Sequence, residues 1–591
     1  MPVNGIREDE EQKEVLKKDT LIRLYRYLFA YPKELCIVGF IMAITIGISM
    51  IGPLLMERAV DVYIAKNDQK GLLYLGGFAL CLFLIYGIGM NIRMVIMAKI
   101  SNEILVKIRE NLFEHIQTLS FQFFDSRPTG KILARIIGDV NSLKDVLADS
   151  VTKLIPDFLT VIGVAIIMII KNPYLAMSAI ITIPILIAGM FFIQVKAHKL
   201  WQVYRKKSSN LNAFVHESLS GIRIVQSFTA EEETKEGFET MVEEHRQSYV
   251  DAVRFADGFG PVVEVTWGLG GFLLYFIGIQ ILGAKEVGVG TFLAFSTYLS
   301  MFWSPIRNLA NFYNKLTTNL SAAERVFDIL DTKPQIADEG KVEELPELKG
   351  DITFQNVSFS YDNKESYVLK DVNFHINPGE TIALVGPTGA GKTTIVNLIS
   401  RFYDVTEGEI KVDGYSLKDV SLHSLRKQMG VMTQDNFLFS GTVLENIRYG
   451  RLEATKEEVI EAAKAVHAHD FIMQLEKGYE TELSERGSQL SIGQRQLLAF
   501  ARTMVSNPRI LILDEATSSI DTHTEQLVQQ GIETLLKGRT SFVIAHRLST
   551  IRKADRIFVI DKGNIAEAGN HEELMKQKGA YYQLYMSQFQ E

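Results

Sequence analysis

The sequence predicts an α-helical membrane domain, with six transmembrane helices and long cytoplasmic extensions, fused to an α/β domain built around a phosphate-binding loop. Three observations predict it. Six long apolar runs occupy the chain as far as Leu309. The two longest connections between them are rich in Lys and Arg and carry helical periodicity. Beyond Gly350 the composition is that of a soluble α/β protein, where a short β-branched run, Thr381–Val385, leads into GPTGAGKTT.

The chain has 591 residues, too many for one hydrophobic core. Its mean hydropathy of +0.09 averages two unlike parts. The net charge of −8 gives no ground for nucleic-acid binding, and none is expected. Cys36 and Cys81 both lie inside apolar runs, so they read as small membrane-buried hydrophobes rather than a disulfide or metal site. Residues 1–20 are polar and charged, without a signal-peptide pattern, and read as a flexible tail.

Leu21–Ala30 places apolar and basic residues at helical spacing before Pro32, as an amphipathic helix on a membrane surface would. The expected spans are Leu35–Met56, Leu72–Met94, Leu154–Ile170, Tyr174–Val195, Phe259–Leu282 and Val287–Leu309. Each is near the ~20 residues that a bilayer crossing needs. Lys171–Pro173 and Gly283–Glu286 are minimal turns. The long connections carry Lys99, Lys107, Arg109, Lys131 and Arg135 in one, and Lys196, Lys199, Arg205, Lys206, Lys207 and Arg223 in the other. The positive-inside rule puts both connections and both termini in the cytoplasm.

Asn102–Ile116 and Ser208–Val225 read as helices that prolong the spans into stalks roughly 35–40 Å long. Asp125–Gly130 and Leu219–Gly221 break them, and a short helix is expected across each tip. Asn91, Arg93 and Glu264 are polar groups near membrane depth. For Glu264 a place on a substrate path and a solvated place at the inner boundary both stand. Trp267, Tyr275, Phe276, Tyr298, Phe302 and Trp303 supply aromatic surface that would either line a cavity or simply pack. The expected organisation is a tail over 1–20, a membrane domain over 21–325, a linker over 326–348 and a soluble α/β domain over 349–591.

Gly386, Gly391, Lys392 and Thr393 fit G-x-x-x-x-G-K-[ST], with an apolar strand before and a helical pattern after. Glycines let backbone N–H groups close around phosphates at a helix start. The expected ATP contacts run through Gly386, Pro387, Thr388, Gly389, Ala390, Gly391, Lys392, Thr393 and Thr394. Lys392 would reach the β- and γ-phosphates, and the Thr393 hydroxyl would ligate Mg²⁺. Ile510–Glu515 is an apolar run that ends in two carboxylates. Asp514 would hold Mg²⁺ through water, and Glu515 would aim or deprotonate the attacking water. Leu490–Gln494 opens a helix with Ser491 and Gly493, a second anion site. Two copies set head-to-tail would bring each such helix start to the other's ATP.

In their order, these segments resemble the nucleotide-binding domain of the ATP-binding cassette (ABC) transporter superfamily. Gly386–Thr393 matches its Walker A motif, Ile510–Asp514 its Walker B motif and Leu490–Gln494 its signature motif, with Ile492 in place of the usual glycine. The resemblance implies that Gln434 is the Q-loop residue, with a catalytic and Mg²⁺-binding role. It implies the D-loop at Ser518–Asp521, with Asp521 at the nucleotide, and the catalytic switch histidine at His546. Tyr361 would stack on adenine, and Ser491, Gly493 and Gln494 would face the nucleotide of a second chain. Six spans fused to one such domain is similar to an exporter-type half-transporter of the bacterial multidrug and lipid kind.

The implied protein is a dimeric ATP hydrolase of the bacterial cytoplasmic membrane, a homodimer or heterodimer. Its expected cofactors are ATP and Mg²⁺, and its cargo a small amphipathic drug or lipid. A peptide cargo and an ATP-gated channel remain the alternatives. A cassette ATPase of DNA repair or translation is opposed by the six spans.

Overall fold

The computed structural model describes residues 18–283, 287–336, 338, 344–361, 366–433, 436–514, 522–544 and 548–589. The chain divides into two compact units. One holds the chain through Glu114 and again Gly130–Asp331; the other holds His115–Thr129 with Thr332–Glu591.

The first unit is helical. Lys18–Leu28 buries Leu24 and Leu28 and exposes Ile22, as an amphipathic helix should. The helical runs that follow are Pro32–Ile64, Gln69–Thr118, Thr129–Lys171, Pro173–Ser220 and Glu231–Ile281, each long and apolar enough to cross a membrane. Val289–Asp331 is the sixth, with a shorter apolar section at Val289–Phe302. Gln69–Thr118 has 50 residues. That is about 75 Å of helix against a hydrocarbon core of ~30 Å, so the continuation beyond the bilayer is a direct consequence of its length. No residue in its most apolar stretch is buried, and Leu73, Phe78, Leu80 and Phe83 all face outward. A helix in water would bury such a face; one in lipid need not. Cys36 and Cys81 are free and exposed on these surfaces.

Asn172 alone turns Thr129–Lys171 into Pro173–Ser220, its side chain accepting the Tyr174 and Leu175 N–H groups at 3.1 Å. The link between the first two spans is shorter than the sequence suggests. The first span runs on to Ile64 through a π-turn, leaving 65–68 as the connection. Asp61 in that turn accepts from the Gly290 and Thr291 N–H groups at 2.7 and 3.1 Å and so caps the sixth helix. Glu57, one turn earlier, accepts from the Thr291 hydroxyl at 3.0 Å and from Lys171 at 2.9 Å. Three spans therefore meet at two carboxylates. Asp61→Ala should cost about 1–2 kcal/mol by leaving those helix N–H groups uncapped, read as a lower thermal midpoint of the purified full-length chain.

Of the aromatics in the last two spans, Tyr298 and Phe302 are core residues, and the Tyr298 hydroxyl donates to the Met50 carbonyl at 2.7 Å. Trp267, Tyr275 and Phe276 keep exposed surface; the Trp303 side chain lies outside the described residues. Arg93 is buried and donates to the Thr152 carbonyl at 3.4 Å, while Asn91 and Glu264 are exposed.

The second unit is α/β. Six strands run in the order Asn564–Gly569, Arg556–Asp561, Thr381–Val385, Thr540–Ile544, Ile510–Asp514 and Met429–Met432, all parallel except the first. Their central strands are almost wholly buried on both faces, as a sheet covered on both sides requires. An antiparallel sheet of four strands begins at Ile352–Phe359 and packs its apolar face into the same core as the glycine-loop helix. Both expected tip helices are present, Phe121–Asp125 and Ile222–Ser227, and the first belongs to this α/β unit.

Candidate ATP site

The strand Thr381–Val385 delivers the chain to the glycine loop at the C-terminal edge of the parallel sheet. Leu384 is level with Ile544, and Ile544 with Asp514. The loop and the Walker-type carboxylate are thus set on one edge by register alone, where ligand crevices of open α/β sheets lie. Gly386 has φ +144°, and a Cβ there would stand 2.2 Å from the Ile560 carbonyl oxygen. Gly391, with φ +111°, begins the helix Lys392–Ile399. Neither conformation suits an L side chain, so glycine is required for the loop to curl. Pro387, Thr388, Gly389 and Ala390 form the bend between them.

Lys392 folds back over the loop, its ammonium donating to the Gly386 and Pro387 carbonyls at 2.7 and 2.9 Å. Burial lowers its pKa below that of an ordinary lysine, and the Asp514 carboxylate opposes the shift. Thr393 is exposed at the helix start and Thr394 is buried, its hydroxyl 3.1 Å from that of Tyr361. Tyr361, the glycine loop, Lys392 and Asp514 are therefore one constellation.

Ser491–Gln494 is a separate one. Ser491 caps the helix Ile492–Ser506 by accepting the Gln494 N–H at 3.2 Å, and the Gln494 side chain accepts the Ser491 N–H at 2.9 Å. Gly493 is buried, whereas Ser491 and Ile492 are exposed. Among the described residues, no hydrogen bond, ion pair or ring contact joins 491–494 to 386–394. Gln434, Glu515, Asp521 and His546 lie outside the described residues.

Sequence reasoning missed part of the site. Thr433, Asn436 and Gln496 line one small cavity with Asp514, and the Gln496 side-chain oxygen is buried without a hydrogen-bond partner. Gln496 follows the signature segment by two residues, and only helix periodicity, which turns it inward, marks it. Arg502 was missed as well. Its guanidinium donates to the Phe437 carbonyl at 2.9 Å and to the Asn446 carbonyl at 2.8 Å, holding the segment that follows Gln434.

The family model described as ABC transporter transmembrane region matches residues 35–306, and that described as ABC transporter matches 369–518. A Bacillus subtilis protein, "Uncharacterized ABC transporter ATP-binding protein YknV", is 42% identical over 573 residues, 96% of this chain and 94% of the relative. The chain belongs to the ABC transporter family. An "ATP-dependent lipid A-core flippase" of Syntrophus aciditrophicus is 39% identical over 91% of this transporter and 89% of its own length. A "Putative multidrug export ATP-binding/permease protein" of Staphylococcus aureus is 38% identical over 95% and 99%. A solved chain described as "Structure of a bacterial Atm1-family ABC exporter with ATP bound" superposes with a TM-score of 0.79 at 28% identity, covering 95% of the transporter and 99% of that chain. The transporter is a bacterial exporter-type half-transporter, with a helical transmembrane region and an ABC ATPase on one chain. It binds and hydrolyses ATP to drive export, spans the membrane several times and works with a second chain.

Proposed function

We propose that two identical copies of this chain expel small amphipathic drugs or lipids across the bacterial cytoplasmic membrane by alternating access, with the ATPase domains and both termini in the cytoplasm. The observation that carries the dimer is that, among the described residues, no hydrogen bond, ion pair or ring contact ties Ser491–Gln494 to the glycine loop of its own chain. A helix start with an exposed serine offers backbone N–H groups to an anion. A second copy turned head-to-tail supplies it, with Ser491, Gly493 and Gln494 against the other chain's ATP. Leu219, Ile224 and Phe228 at the second tip are also exposed, apolar surface of the kind that a partner covers.

Within each site Lys392 and the loop N–H groups hold the phosphates, Tyr361 takes the adenine, and Asp521 contacts the nucleotide. Glu515 aims the water, with Gln434 and His546 completing the catalytic set. The Thr393 hydroxyl and the Asp514 carboxylate are hard oxygen donors of the kind that Mg²⁺ takes, and with Gln434 they would hold it. When bound, the ion neutralises charge that builds up on the transferring phosphoryl group. The relatives named for lipid A-core flipping and multidrug export support an amphipathic cargo.

The test is expression of this chain alone. A purified species of twice the chain mass, with ATPase that rises on adding lipid or drug, is expected. A monomer without ATPase that regains it only with a related chain would replace the homodimer by a heterodimer.

A further inference from the structure

The first tip is built into the α/β unit, and its polar contacts converge on one side of the ATP site. The Gln122 amide donates to the Tyr361 carbonyl at 3.2 Å. The Asp125 carboxylate accepts from the Tyr403 hydroxyl. The Phe121 ring lies 4.2 Å from that of Phe402, tilted by 32°. Tyr403 in turn meets Tyr361 edge to face, at 5.0 Å and 89°. Phe359 packs against both rings, 4.8 Å and 84° from Tyr361 and 5.7 Å and 63° from Tyr403. The Tyr361 hydroxyl is held by Thr394.

Tyr361 is thus fixed at its carbonyl, at its ring and at its hydroxyl, and the tip supplies the first directly and the second through Tyr403. Tyr403 is only 7% exposed. Burial, and then the hydrogen bond and charge of Asp125, push its pKa up, so it stays a donor at any working pH. A hydroxyl donating to a carboxylate is among the stronger hydrogen bonds, and an edge-to-face pair is directional. Together they fix the angle of one ring by the position of a residue 278 places away in sequence.

We propose that the first tip is a positioning element of the ATP site: Asp125 through Tyr403, and Gln122 through the Tyr361 carbonyl, set the face against which the purine of ATP stacks. The proposal rests on the reading of Tyr361 as the purine platform. Gln122, Asp125 and Tyr403 are positioning residues: among the described residues none makes a hydrogen bond, ion pair or ring contact to 386–393. Their effect falls on the base end of the nucleotide and not on phosphoryl transfer.

Steady-state ATPase of the full-length chain in lipid nanodiscs tests it, with inorganic tripolyphosphate as a competitive inhibitor that lacks a base. Tyr403→Phe keeps the ring and removes the donor, and Asp125→Asn keeps the shape and removes the charge. Each should raise KM for ATP roughly three- to tenfold, with kcat within about twofold, while inhibition by tripolyphosphate is unmoved. In a Tyr361→Ala background, Tyr403→Phe should add no further rise in KM. If Tyr361→Ala raises KM for ATP but Tyr403→Phe and Asp125→Asn do not, the positioning role is overturned and the platform reading stands. Full additivity of Tyr403→Phe on Tyr361→Ala, or equal weakening of tripolyphosphate, also overturns it. If Tyr361→Ala leaves KM for ATP unchanged, the platform reading falls and the proposal falls with it.

Discussion

Glu515→Gln should lower phosphate release from ATP by about 10²–10⁴-fold, the usual contribution of a positioned general base, while ATP still binds. The residue follows directly on Ile510–Asp514, whose first four side chains are buried and whose Asp514 is aligned with the strand beside the glycine loop. Tyr361, Gly386–Thr394 and Lys392 are untouched by the change, so binding should persist and the nucleotide should be retained unhydrolysed. Equilibrium binding and steady-state hydrolysis measured on one preparation check both halves. Undiminished hydrolysis in that variant would sink the assignment of Glu515.

Gly386→Ala should disable the site by a different route. The new Cβ would stand 2.2 Å from the Ile560 carbonyl oxygen, a backbone atom of the neighbouring strand, at a φ of +144°. Nothing flexible is there to yield, so either the loop or the strand pair must shift. A loss of roughly 1–3 kcal/mol in the stability of the α/β unit is expected, together with a large fall in ATP affinity. Gly389→Ala is the informative comparison. Its φ is also positive, +82°, but a Cβ there meets no atom within 4 Å. It should keep a substantial part of the binding that Gly386→Ala loses. Thermal unfolding with and without ATP separates the two, and equal behaviour of the pair would show that backbone strain, not the clash, governs the loop.

Much of this molecule was legible in its sequence because the signals were local. Six apolar runs announce spans whatever they pack against, since lipid demands only length and apolarity. GPTGAGKTT carries its own turn geometry in its glycines, and the Thr381–Val385 run before it can only be a short buried strand. The Ser491–Gln494 cap was readable for the same reason, being closed by two residues three apart. The first loop was misjudged because the helix end is decided at a distance. Asp61 caps residues some 230 places on, and the chain stays helical to reach them. Tyr298 and Phe302 looked equally fit to line a cavity or to pack, and only the neighbours across the helices make them core.

By itself the sequence determined the apolar spans, the glycine loop and the family, because each depends on a residue's own chemistry and near neighbours. The tertiary structure decided which of these come together. It joined Tyr361 to Thr394, set the Asp514 carboxylate to act on Lys392, and placed Gln122 and Asp125 against Tyr361 and Tyr403. The physical reason is that periodicity and turn chemistry report on a few successive residues. A hydrogen bond between Asp125 and Tyr403 depends on the packing of everything between them.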